Sequence, residues 1–224
     1  MIDFHAHILP GADHGSANIA ESLAQLKKAE SIGITTIVAT SHYYIQDNEI
    51  DEFLERRDKA YNELMKEYKG KIRIIKGAEV TMAFDIAELD DLEKLCIDGT
   101  NCILLEMPTT AGGPWIYSAI DKIKARGLEP IIAHVDRYAP DVQENLLEKD
   151  ILIQVNAVAF VNFSTRRRMT ENLKMGRVHL IGSDVHDKEA TQYDRFYKAM
   201  KRLQGYGKFL QDNASNILGV PIDG

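Results

Sequence analysis

The sequence predicts an α/β fold, a distorted (β/α)7 TIM-like barrel with a metal site at its C-terminal rim. Three observations lead there. Short β-branched runs alternate with helical patterns along the 224 residues, as expected of parallel strands joined by helical crossovers. Residues of metal-ligating type stand at the ends of nearly all these runs. A barrel gathers every strand end on one rim, whereas an open doubly wound sheet places its site at one switch point. Finally, about 200 to 250 residues commonly form one barrel core, so a single domain over residues 1–224 is expected.

Strands are expected at residues 2–5, 35–40, 72–79, 102–106, 129–134, 151–156 and 178–183, short aliphatic runs of the kind buried on both faces in a parallel sheet. After the first, Asn18 with Glu21 reads as an N-cap and capping-box partner, and Ile19, Leu23, Leu26 and Ala29 form a helical stripe that stops near Gly33. Residues 49–68 form a longer charged helix with Ile50, Phe53, Leu54, Tyr61, Leu64 and Met65 at its apolar positions. Gly112-Gly113 marks the 109–114 loop as a movable rim. Pro114 then opens a helix that Gly127 closes. Helices at 141–149, 166–175 and 189–203 complete the alternation.

Composition is that of a folded globular chain, with 45% hydrophobic and 27% charged residues. Met1 runs directly into Ile2-Asp3-Phe4-His5 with no secretion signal, and no stretch approaches the roughly 18 to 20 apolar residues of a bilayer span, so a cytoplasmic location without membrane insertion is expected. Cys96 and Cys102 form no CxxC, which favours reduced thiols, and neither opens the Cys-x5-Arg loop of thiol phosphatases. The formal charge of −7 argues against nucleic-acid binding. It does not exclude an anionic substrate, because bound cations dominate local potential.

His5-Ala6-His7 lies at a strand end, where period-two geometry sends both imidazoles to one side. The pair is weak alone. It gains force from His14 nearby, His42 after the second run, Glu79 after the third, Glu106 after the fourth, His134 after the fifth, and Asp184 with His186 after the last. Pairing of the first and last strands would bring Asp184 to His5 and His7. Imidazole and carboxylate ligands without thiolate suit manganese, iron or zinc. Arg137, three residues past His134, is placed to grip phosphate beside such a centre. His179 falls within a strand and reads as packing, and Arg166-Arg167-Arg168 reads as a solvated helix start.

Together, His5-x-His7, Asp13-His14-Gly15, Thr40-Ser41-His42, Gly77-Ala78-Glu79, Glu106, Ala133-His134-Val135-Asp136-Arg137 and Gly182-Ser183-Asp184-Val185-His186 resemble the PHP (polymerase and histidinol phosphatase) superfamily. The stretch from His5 through Pro10-Gly11 and Gly15 to Glu21-Ser22-Leu23 is similar to its bacterial manganese-dependent tyrosine-protein phosphatases of capsular and exopolysaccharide synthesis. The resemblance implies three divalent ions, manganese first with iron or zinc as alternatives. His5, His7, Glu79 and Asp184 would surround one ion, and His42, Glu106, His134 and His186 would complete the others. It also implies Arg137 as the phosphate-binding arginine. Where that branch usually has two aspartates before the glycine, this chain has Asp13-His14, so His14 takes the ligand position. The expected activity is hydrolysis of phosphate monoesters, foremost phosphotyrosine on a bacterial tyrosine kinase of polysaccharide export. Alternatives are a small-molecule phosphatase of the histidinol-phosphate type, a phosphodiesterase, or a weakly active metal-binding regulatory module.

Overall fold

The computed structural model describes residues 1–108 and 113–222; residues 109–112 of the expected rim loop lie outside the described residues. Seven parallel strands follow one another in chain order: β1 (Ile2–Ala6), β2 (Thr36–Tyr43), β3 (Arg73–Thr81), β4 (Cys102–Glu106), β5 (Glu129–Ile132), β6 (Leu152–Asn156) and β7 (Leu180–Gly182). A sequential order is that of a singly wound barrel. The circle closes because the amide of Asp184 donates to the His5 carbonyl at 2.8 Å and that of His7 to the Val185 carbonyl at 3.0 Å.

Closure depends on a missing side chain. A Cβ on Gly182 would stand 2.5 Å from the His5 Cβ and 2.8 Å from Gln154 Nε2, so only glycine lets β7 approach β1 this closely.

The helices α1 (Ile19–Ser31), α2 (Ile50–Glu67), α3 (Pro114–Ala125), α4 (Pro140–Leu147), α5 (Arg166–Lys174) and α6 (Thr191–Leu203) stand within a few residues of their expected positions. Asn18 Oδ1 accepts from the Glu21 amide at 3.1 Å, while Glu21 reaches back to the amide of Ala17 at 3.0 Å. These contacts satisfy amides at the start of α1 that lack helical partners. None of the described helices is long and apolar enough to cross a membrane.

One helix was not anticipated, α7 (Gly205–Leu218). Two glycines in its first turn, each costing about 1 kcal/mol relative to alanine, hide it from propensity. Tertiary packing overrides them. Ala214, Ile217, Leu218 and Val220 cover the inner cluster of Ile2, Phe4, Val38, Leu104, Ile131 and Leu180. Gln211 Oε1 accepts from the Ile2 amide and its Nε2 donates to the Ile2 carbonyl. The strand starts are thereby capped, and the opposite ends remain for chemistry. A larger apolar layer lies between sheet and helices. Both cysteines are buried and free, and burial pushes the Cys96 thiol up to about 12, so neither is a reactive thiolate.

Candidate metal centre

Irregular backbone aims the strand-end side chains. The register of β1 against β2 shifts between Asp3 and Ala6, a device that redirects side chains. Phe4 faces the inner cluster, yet the neighbouring His5 also points at the convergence of donors, which a regular strand would forbid. His134 (φ 29°) and Asp184 (φ 56°) adopt left-handed backbone, unusual for side-chain-bearing residues and concentrated at functional sites.

Glu79 is the hub, and it is almost wholly buried. Its Oε2 lies 3.0 Å from His5 Nε2, 3.1 Å from His7 Nε2 and 3.4 Å from His42 Nδ1, while its Oε1 lies 2.7 Å from His134 Nε2. Asp184 Oδ1 stands 3.6 Å from His5 Nε2 and 3.5 Å from His7 Nε2, as expected from pairing of the first and last strands. Glu106 stands 3.8 Å from His42 and 3.4 Å from His134, and it accepts from the Thr81 hydroxyl at 3.0 Å.

Three donor groups result among the described residues: His5, His7 and Asp184; His42, Glu79 and Glu106; and His7, His42 and His186. In each, the donor atoms lie within 4.8 Å of one another. Asp184 Oδ1 and His42 Nδ1 are buried without a hydrogen-bond partner, a costly state that a cation would relieve. Divalent ions fit this donor set.

Electrostatics agree. Burial works to raise Glu79, but the charge of His5 and bonds from His134, His5 and His7 hold it well below the carboxylate range. Burial pulls His42 and His186 down to about 4, His186 with help from the neighbouring His7, which leaves neutral imidazoles with lone pairs to donate. Burial opposes protonation of His134, yet Glu106 and Glu79 raise it to about 9. His7 is raised well above its usual value because the Asp13 and Glu79 carboxylates outweigh its burial.

His14 behaves differently from the other histidines. It is exposed, stacks on His42 and His186 with centroids 4.5 and 4.8 Å away, and supplies no atom to the three groups. Its neighbour Asp13 is the better-connected residue: Oδ2 lies 2.8 Å from His7 Nδ1 and accepts from the His42 amide at 2.9 Å, and Oδ1 accepts from the Gly15 amide at 2.8 Å. A carboxylate behind a ligating imidazole fixes its tautomer and orientation. No role for Asp13 follows from the sequence alone. Only β6 carries none of the predicted ligands; Gln154 and Asn156 occupy its rim end, and Gln-x-Asn closing a buried strand was the available signal. His179 accepts from the Ile153 amide at 3.1 Å and serves packing, as expected.

Above the donors opens a cleft of about 650 Å³ whose walls include Tyr44, Thr81, Met107, Pro108, Arg137 and Gln192. Arg137 Nη2 pairs with Asp184 Oδ2 at 2.5 Å, and its side chain remains half exposed.

Residues 1–218 match the family model for capsular polysaccharide synthesis, CpsB/CapC. The chain is 26% identical over 206 residues to the tyrosine-protein phosphatase YwqE of Bacillus subtilis (strain 168), covering 86% of this chain and 80% of the relative. To the tyrosine-protein phosphatase CpsB of Streptococcus pneumoniae it is 29% identical over 209 residues, covering 84% and 83%. It shares its fold, at a TM-score of 0.81 and 22% identity over the whole of both chains, with a crystal structure from the work on YwqE and CpsB as metal-dependent tyrosine phosphatases. A histidinol phosphate phosphatase from Lactococcus lactis subsp. lactis is a more distant likeness of fold, with a TM-score of 0.53 and 14% identity over 90% of this chain and 93% of that one.

Proposed function

Because the chain belongs to the capsular polysaccharide synthesis CpsB/CapC family, we propose that it is a metal-dependent phosphatase of protein phosphotyrosine, acting in the control of capsular or extracellular polysaccharide synthesis. The observation that carries this is the convergence of six strands' terminal histidines and carboxylates around Glu79, beneath a cleft bearing Arg137. The proposed ligands are His5, His7, His42, Glu79, Glu106, His134, Asp184 and His186. Three ions, manganese first, are the proposed complement, with His7 and His42, which the donor groups share, each serving a single ion, and the proposed catalytic domain spans the chain. The proposed substrate is the phosphorylated tail of a bacterial tyrosine kinase of polysaccharide export, met in the cytoplasm.

Bound divalent ions supply activation of water at neutral pH and neutralisation of charge on the phosphoryl group. The chain's residues do the positioning. Arg137 keeps one nitrogen on Asp184 and offers the rest of its fork to phosphate oxygens. Asp13 holds His7 with its Nε2 toward Glu79. A phenolate, whose parent acid has a pKa of about 10, leaves with less protonation than an alkoxide, so an aryl phosphate needs no acid that these residues do not provide.

Manganese-loaded protein should cleave a phosphotyrosine peptide in preference to histidinol phosphate and a bis-aryl phosphodiester. A reversed order would replace the proposed substrate class. The exposed His14, which lies outside the three donor groups, favours one second reading, a weakly active module that binds metal and docks a kinase tail. Metal content separates the two: filled donor groups with turnover support the phosphatase, and one tightly held ion without hydrolysis supports the module.

A further inference from the structure

Strand β6 contributes no ligand, yet it lies between β5, which leads to His134, and β7, which leads to Asp184. Gln154 and Asn156, two residues apart and therefore on one face of β6, are buried amides whose every polar atom must find a partner. Their bonds form a directed chain. Gln154 Oε1 accepts from the His134 amide at 2.5 Å, and a backbone N–H can only donate, so this contact fixes which end of the Gln154 amide is oxygen. Gln154 Nε2 must then donate to Asn156 Oδ1, 3.0 Å away, and Asn156 Nδ2 to Asp184 Oδ2, 2.8 Å away.

The same orientation settles two donors at the centre. Gln154 Oε1 also lies 3.3 Å from His5 Nδ1. Since that oxygen can only accept, His5 must carry a proton on Nδ1, so Nε2, the nitrogen facing His7, Glu79 and Asp184, is the one whose lone pair would go to a bound cation. Asn156 occupies Oδ2 of Asp184 and leaves Oδ1, the oxygen nearest His5 and His7, free. Gly182 makes room for this, because a Cβ there would press on both Gln154 Nε2 and His5.

We propose that Gln154 and Asn156 are positioning residues of the metal centre: one amide chain, its direction set by the His134 backbone, fixes the tautomer of His5 and the free oxygen of Asp184. The proposal rests on the metal-dependent reading of the site. Its test uses zinc, a diamagnetic probe, with affinity measured by chelator competition and the His5 ring followed by nitrogen NMR. Zinc-loaded wild-type protein should show a solvent-protected proton on His5 Nδ1. Gln154→Met, similar in volume but without the amide, should bind zinc about 10- to 100-fold more weakly. Gln154→Glu, which keeps the acceptor oxygen, should recover most of that loss. In the zinc-loaded wild type, a His5 ring protonated on Nε2 rather than Nδ1 overturns the proposal whether or not the variants fold. Wild-type zinc affinity in Gln154→Met overturns it while leaving the metal centre standing. Failure of wild-type protein to bind zinc at all removes the metal centre and the proposal together.

Discussion

Replacing Asp13 with alanine should weaken the metal-free fold by about 3–5 kcal/mol, the usual result of breaking a buried ion pair from one side. The carboxylate's side chain is only 4% exposed and takes three contacts, from His7 Nδ1 at 2.8 Å, the His42 amide at 2.9 Å and the Gly15 amide at 2.8 Å. Hydrogen bonds to a charged group contribute about 1.5–3 kcal/mol each, but these three share one acceptor and do not add in full. The assay is urea unfolding of chelator-treated protein across pH. Although burial alone would raise it, Asp13 is held below the carboxylate range by His7 and the two backbone amides. Its contribution is therefore present above the unfolded value and is lost as pH falls through the folded one. His7 is raised, so its share is full below its unfolded value and is lost as pH rises through the folded one. The gap between wild type and variant should be widest between about pH 4 and 6.5, bounded by the two unfolded values. A gap below about 1 kcal/mol at pH 6, the size of an ordinary surface change, would refute the role assigned to Asp13.

Arg137→Ala should lower turnover on a phosphotyrosine peptide by about 10²- to 10³-fold, the scale for losing one charge-stabilising donor, with metal content by mass spectrometry nearly unchanged. Metal binding should release protons, because His134, at about 9, and His7 are charged in the metal-free protein at neutral pH and must lose a proton to donate. Affinity should therefore rise with pH, and calorimetry in buffers of different ionisation heat should report a positive proton release; no buffer dependence at pH 7 would contradict it. Gly182→Ala should cost about 1–3 kcal/mol from overpacking at the barrel seam, seen as a lowered thermal midpoint, with weaker metal binding because His5 must move. An unchanged midpoint would show that the seam can spread.

Strand order and the meeting of the strand-end histidines and carboxylates, with Arg137 at the same rim, were legible in the sequence because each follows from local pattern. Buried parallel strands read as aliphatic runs, and a polar residue that ends such a run stands at the rim whatever the tertiary detail. Helix α7 was not legible, since its glycines argue against helix and only packing on the strand starts stabilises it. The contacts of Asp13 were not legible beside His14 for a related reason. Adjacent residues on an irregular loop have no periodicity to separate the one facing inward from the one facing solvent, and contacts of Asp13 with His7 and the His42 amide decide between them.

By itself, then, the sequence determined which residue types reach the rim and in what order around it, because alternation and strand length are encoded locally. The tertiary structure alone decided where their lone pairs point. The register shift in β1, the left-handed backbone at His134 and Asp184, and the direction of the Gln154–Asn156 amide chain depend on neighbours up to 180 residues apart, as in the bond from Ser183 to Asp3 that ties the seam. Hydrogen-bond direction is a property of the assembled network, and no single segment carries it.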